Sequence, residues 1–168
     1  MAQVILSDLV GRRGIPAQVA SAGLLPGGQP MPPETEDALH TLGYIGPGLT
    51  THRSHQLTRP LVTDADLVLG LARDHVREVV VRMPETWAKT FTLKELVRRG
   101  GAGGQRLGDE ELTTWLARMG EGRSRQDLLG SSNADDVEDP IGGLPSAFEE
   151  TAAEILGLCV SLAGLLWP

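Results

Sequence analysis

The sequence predicts an α/β fold, a three-layer sandwich of helices around a small parallel sheet. Three observations predict it. Asp66-Leu67-Val68-Leu69-Gly70-Leu71 is a continuous apolar run flanked by polar residues, the mark of a strand buried on both faces. Ala88 to Leu93 reads as a second short strand, and helical stretches from Arg73 to Arg82 and from Lys94 to Arg99 follow the two runs in turn. Strand and helix in alternation imply right-handed crossovers between parallel strands. With 168 residues the chain is expected to form one domain, 1–168, around a real core, and its 21 Gly and 11 Pro punctuate it into short elements.

Taken in order, Met1 to Arg13 reads as a helix with Val4, Ile5, Leu6, Leu9 and Val10 on its apolar face. Gly11 and Gly14 end it, and no Ser, Thr or Asp stands ahead of it as a cap. Ala17 to Gly23 is read as a short strand closed by small residues, which let a neighbouring backbone approach. A Pro/Gly-rich loop from Leu25 to Pro33 leads into a helix from Pro33 to Gly43, with Pro near its start, acids in its first turns and Gly at its end. Thr51 to Thr58 is a polar connector, and Thr58 offers a cap for a short helical turn through Pro60 and Leu61. The helix at Arg73 should stop before Pro84.

Residues 100–132 differ in texture. Gly100-Gly101-Ala102-Gly103-Gly104 reads as a flexible hinge, and Asp109 to Met119 as an amphipathic helix carrying Trp115, together a surface insertion at about 100–132. The terminal helix, Pro145 to Leu166, is expected to bury Phe148, Ile155, Leu158, Val160 and Leu162 against the sheet. Cys159 lies inside that apolar run with nothing basic beside it, and is read as an inert core thiol.

The totals exclude several functions. A formal net charge of -7 argues against non-specific binding of nucleic acid or anionic membrane. No apolar run approaches the roughly 20 residues that span a bilayer, and the longest lies at the wrong end for a signal peptide. One cysteine permits no internal disulfide, so a cytoplasmic setting is expected. His52 and His55 could pair at a metal, but no carboxylate or Cys stands at ligand spacing. No cofactor and no metal are therefore expected.

The most chemically suggestive stretch is Asp135-Asp136-Val137-Glu138-Asp139-Pro140-Ile141-Gly142-Gly143. Pro and two Gly forbid a helix or strand through it, and its acids would repel one another unless they faced solvent or a basic partner. Asp139, stiffened by Pro140 and placed before a helix, reads either as part of an acidic surface loop or as an accessible general acid.

Five segments in order resemble the low molecular weight protein tyrosine phosphatases and their arsenate-reductase relatives. They are Val19 to Gly23, Thr51 to Leu57, Asp64 to Leu69, Lys89 to Leu93 and Asp136 to Gly142 with the Phe-containing helix behind it. The resemblance implies hydrolysis of a phosphomonoester through a cysteinyl-phosphate, on a phosphotyrosine protein or small aryl phosphate, with Asp139 as the general acid. Asp135, Asp136 and Glu138 would then help to keep a proton on Asp139 by like charge. Arsenate reduction needs further thiols, and only Cys159 is present.

The resemblance also implies a central first strand and a nucleophile loop of pattern Cys, five residues, Arg, then Ser or Thr, ahead of the first helix. Met1-Ala2 falls where that helix is already under way, so strand, Cys and Arg are expected to be missing, through a late start or a truncated beginning. Without the strand, its neighbours would stand about 9.5 Å apart unless the sheet closes up. Such a chain should be inactive, or should serve as a non-catalytic, phosphatase-like binding or regulatory protein. An aromatic rim for a phosphotyrosine ring is absent as well, with Pro26 and Gly27 in one of its positions and Ile141 in the other.

Overall fold

The computed structural model describes residues 1–129 and 132–168. Two compact units emerge, one of Met1–Leu57 with Glu138–Val160, the other of Thr58–Val137 with Ser161–Pro168.

In the first unit, α1 (Ala2–Arg12) buries Ile5 and Val10, and Gly14 turns the chain away at a φ of 63°. Helix α2 (Pro33–Thr41) starts on its proline, carries Glu34 and Glu36 in its first turn and buries Ala38 and Leu39. Acids there complement the positive end of the helix. A short helix, α3 (Pro47–Thr50), follows. The terminal helix, α8 (Pro145–Leu166), brings Phe148 and Ala152 against Ala38, with Met1 and Leu42 packed at the edge of this cluster.

The strand expected at Ala17 to Gly23 does not form. Residues 17–22 join no ladder, and Gly23 makes a single bridge to Gln56. Local side-chain bonds take the place of a neighbouring strand: Gln3 Nε2 donates to the Val19 carbonyl (3.4 Å) and Ser21 Oγ to Gln3 Oε1 (2.5 Å). The connector after α3 is better tied. Gly23 and Leu57 exchange backbone bonds with His55 and Gly23 at 2.8 Å, and Gly28 and Ser54 pair the other side of the loop. At Gly27 a Cβ would lie 2.8 Å from the Ser54 carbonyl oxygen, a backbone atom that cannot swing aside. Gly27→Ala is therefore expected to destabilise the protein by about 1–3 kcal/mol, read as a lower urea midpoint.

The second unit is built on one βαβ turn. Strands β1 (Val68–Gly70) and β2 (Thr90–Thr92) pair in parallel, Val68 opposite Thr90 and Gly70 opposite Thr92, and α5 (Arg73–Arg82) connects them with a 3₁₀ segment at Pro84–Lys89. Strand β2 is buried throughout, whereas β1 is only half-buried, contrary to its apolar sequence. The sheet has two strands among the described residues, so each has a strand neighbour on one side alone. Ahead of it, α4 (Arg59–Asp64) begins after Thr58, whose side chain makes no capping bond. Pro60 stands second in that helix and has no N–H to offer such a cap.

Helix α6 (Leu93–Gly103) is capped by Thr92, whose hydroxyl accepts the Glu95 N–H at 3.0 Å. It runs through the stretch expected to be a hinge. Its glycines are closely covered: a Cβ at Gly100 would lie 2.6 Å from Leu165 Cδ1, and one at Gly103 2.8 Å from Met119 Cε, so the ends of those side chains would have to shift. Helix α7 (Leu112–Met119) buries Trp115 completely, and its indole N–H donates to the Gly104 carbonyl at 3.1 Å. Along α8, Ile155 and Leu162 are buried as expected, but Leu158 is only half-buried and Val160 is 44% exposed. An unbroken apolar run lays residues on every face of a helix, so some must point outward.

Candidate active site

The acidic stretch divides at Val137. Its first part belongs to the second unit and is tied there by basic side chains. Arg98 grips the Asp135 carboxylate with two bonds, at 3.1 and 2.7 Å. Asp136 Oδ1 accepts the Arg73 N–H at 2.7 Å, its backbone carbonyl accepts Lys94 Nζ at 2.6 Å, and Arg73 Nε lies 3.8 Å from the same carboxylate. The buried Val137 donates its N–H to the Leu71 carbonyl at 2.7 Å. Asp135 and Asp136 thus spend their charge on arginines.

The second part, in the first unit, presents Asp139. Thr151 Oγ1 donates to the Glu138 carbonyl at 3.4 Å, and the Ile141 N–H donates to Asp139 Oδ1 at 3.1 Å. This side-chain turn is closed by Gly143 N–H to the Pro140 carbonyl (2.9 Å), with Gly142 at a φ of 84° that an L side chain rarely adopts. Asp139 is exposed, and among the described residues no basic side chain pairs with it. Its carboxyl therefore has one oxygen fixed and the other open, which suits a group that must hand over a proton. Ile141 and Leu144, 72% and 74% exposed, flank it with apolar surface.

The other sequence candidates, His52, His55 and Cys159, belong to the first unit too. His52 and His55 sit on the connector of the first unit; burial, and then the charges of the Met1 ammonium, His55 and Arg53, lower the His52 pKa. No group of three His, Cys, Asp or Glu among the described residues is placed to hold a metal ion. Cys159 is 1% exposed, and burial pushes its thiol up to about 11. At pH 8 roughly one thiol in a thousand would be ionised. Alkylating reagents are expected to label it only once denaturant is added; rapid labelling in native buffer would contradict that burial. Since the folded thiol holds its proton more tightly than the unfolded one, its contribution to stability is intact below about pH 9 and is lost as pH rises towards 11.

One feature had no signal in the sequence. Arg123 is almost wholly buried between the rings of Trp87 and Phe91, 3.8 Å from each centroid. Its guanidinium bonds the Glu95 carboxylate at 2.8 and 3.1 Å and the carbonyls of Thr90 and Trp87 at 2.8 and 3.2 Å. Arg99 shares Glu95 at 2.9 Å. The adjoining cavity, lined by Arg73, Trp87, Glu95, Arg123, Asp127 and Asp135, offers about 40 Å³. That is room for water but far below the ~300 Å³ of a typical ligand pocket.

A parallel βαβ turn and an exposed Asp-Pro turn ahead of a long helix place the chain among mixed α/β folds. Residues 1–108 match the family described as low molecular weight phosphotyrosine protein phosphatase, and the chain belongs to it. Asp139 lies beyond the matched residues. A curated relative from Ralstonia solanacearum, the probable low molecular weight protein-tyrosine-phosphatase EpsP, is 33% identical over 97 residues, which are 57% of this chain and 62% of the relative. The chain thus spans less than two thirds of that protein. Among solved structures, a low molecular weight protein tyrosine phosphatase from T. tengcongensis superposes with a TM-score of 0.72 at 28% identity, over 98% of this chain and 88% of the other. A YwlE arginine phosphatase variant with a phosphorylated active site serine gives a TM-score of 0.70 at 25% identity, over 98% and 84%.

Proposed function

We propose that this protein is built for phosphomonoester hydrolysis, on a phosphotyrosine protein or small aryl phosphate, with Asp139 as the general acid. The observation that carries the reading is the Asp139 turn, an exposed carboxyl held by one backbone N–H on a loop whose root is anchored. In such a reaction a thiolate attacks phosphorus, the bond to the leaving oxygen breaks, and the acid passes its proton to that oxygen. The resulting carboxylate then takes a proton from the water that releases phosphate from sulfur. Asp139 can perform both proton transfers.

The remaining parts are not in these 168 residues. Cys159 is the one cysteine, and Leu165 stands where a Cys-x5-Arg pattern would need its arginine. The same fact favours a second reading, a non-catalytic phosphatase-like protein that binds a partner. Among the described residues no helix is long and apolar enough to cross a membrane. The single cysteine suits a reducing, cytoplasmic setting.

The experiment compares the 168-residue chain with the same chain joined, ahead of Met1, to a strand and a Cys-x5-Arg-Ser loop. The substrates are p-nitrophenyl phosphate, phosphotyrosine peptide and phosphoarginine. The 168 residues alone are expected to turn over none, and the joined chain to hydrolyse the aryl phosphates. Turnover by the shorter chain that disappears in Asp139→Asn would overturn the assignment of roles. A folded, inert joined chain would favour the binding protein.

A further inference from the structure

We infer that Asp136 is a positioning residue for the reaction, fixing the root from which the Asp139 turn springs; this rests on the phosphatase reading above. Helix α5 begins after Ala72, which has no side-chain acceptor for the first N–H groups. His75 Nδ1 takes the Ala72 N–H at 3.2 Å, and the cap for the Arg73 N–H comes from Asp136, 63 residues further along the chain. A cap of this length serves two ends. It satisfies a helix donor and also pins the acid loop to that helix.

The pin is reinforced at both strands. Leu71, which accepts the Val137 N–H, and Arg73 follow β1 directly; Lys94, which bonds the Asp136 carbonyl, and Arg98, which grips Asp135, follow β2. The root of the loop is therefore fastened at the carboxyl ends of both parallel strands, where open α/β sheets place their ligands. Two peptide units lead from Val137 to Asp139, a reach of at most about 7 Å, so a root held at Val137 limits how far the Asp139 backbone can travel.

The first test uses the 168-residue chain and backbone hydrogen exchange at Val137. Asp136→Ala is expected to speed exchange there by about tenfold or more, and Asp136→Asn, which keeps an oxygen for the Arg73 N–H, to stay near the parent. Should Asp136→Ala not fold, Asp136→Ser, whose oxygen stops short of that amide, takes its place. Unchanged protection at Val137 would overturn the inference.

The second test uses the joined chain across aryl phosphates of rising leaving-group pKa. Displacement of a catalytic group by an ångström can cost up to about 100-fold. Asp136→Ala is expected to slow the poorest leaving groups by about 10- to 100-fold, to spare p-nitrophenyl phosphate, and to be rescued in Asp136→Asn. An equal loss on every substrate, or no loss, would refute positioning while leaving the phosphatase reading intact. A parent joined chain with no turnover would refute the phosphatase reading and this role with it.

Discussion

In the chain joined to a nucleophile loop, Asp139→Asn is expected to lower turnover of phenyl phosphate by about 10²–10⁴-fold, the usual worth of a positioned general acid. The change is close to isosteric. Asparagine keeps a side-chain oxygen for the Ile141 N–H, so the turn through Pro140 to Gly143 should persist and the loss should be chemical. The loss should also depend on the leaving group. A phenolate of high pKa needs a proton as its bond to phosphorus breaks; a nitrophenolate scarcely does, and its turnover should fall least. Steady-state rates of the parent and mutant across such a series make the measurement. If Asp139→Asn is harmless throughout while Asp135→Asn or Asp136→Asn is crippling, the acid has been placed on the wrong residue.

Arg123→Ala is expected to lower the free energy of unfolding by about 3–5 kcal/mol, the usual cost of breaking a buried ion pair from one side. Three acceptors lose their donor at once: the Glu95 carboxylate and the carbonyls of Trp87 and Thr90. Arg99 stays on Glu95, which keeps the loss from being larger. The rings of Trp87 and Phe91 lose the cation between them, and a void opens where the guanidinium stood. Burial already pulls the Arg123 pKa down, against the opposing pull of Glu95, yet an arginine so placed remains charged at any ordinary pH. Arg123→Lys should recover only part of the loss, since an ammonium cannot make the planar fork. Denaturant midpoints at constant slope provide the test, and a drop of less than about 1 kcal/mol for Arg123→Ala would show that the pair contributes little.

What could be read from the sequence follows the range over which each signal acts. The proline at the start of α2, the glycine after it and the full extent of α8 were legible because caps and breakers act on their own neighbours. The Asp139 turn was legible for the same reason, since Asp-Pro followed by two Gly leaves the chain few alternatives. Its anchors were not. Arg98 and Arg73 stand 37 and 63 residues away, and only the self-repulsion of the acidic run hinted that cations were needed. Gly100 to Gly104 misled because local composition favours a hinge, whereas Leu165 and Met119, distant in sequence, pack over Gly100 and Gly103 of a continuous helix. The apolar run of β1 could not say how many strands would lie beside it, and residues 17–22 had strand composition but no strand to pair with among the described residues. Arg123 left no trace, because a cation that will sit between two aromatic rings looks in sequence like any surface arginine.

The end of α6 also sets an order of events during synthesis. Gly100, Gly101 and Gly103 together cost that helix about 3 kcal/mol relative to alanine. The contacts that offset this come later in the chain: Met119 over Gly103, Leu165 over Gly100, and the bonds from Arg106 N–H and Nε to the carbonyls of Leu165 and Leu166 at 2.8 and 2.9 Å. Arg106 and Leu166 are separated by 60 residues, which a ribosome at about 5–20 residues per second adds in roughly 3–12 s. For those seconds the nascent chain carries a glycine-rich helix end without the residues that hold it.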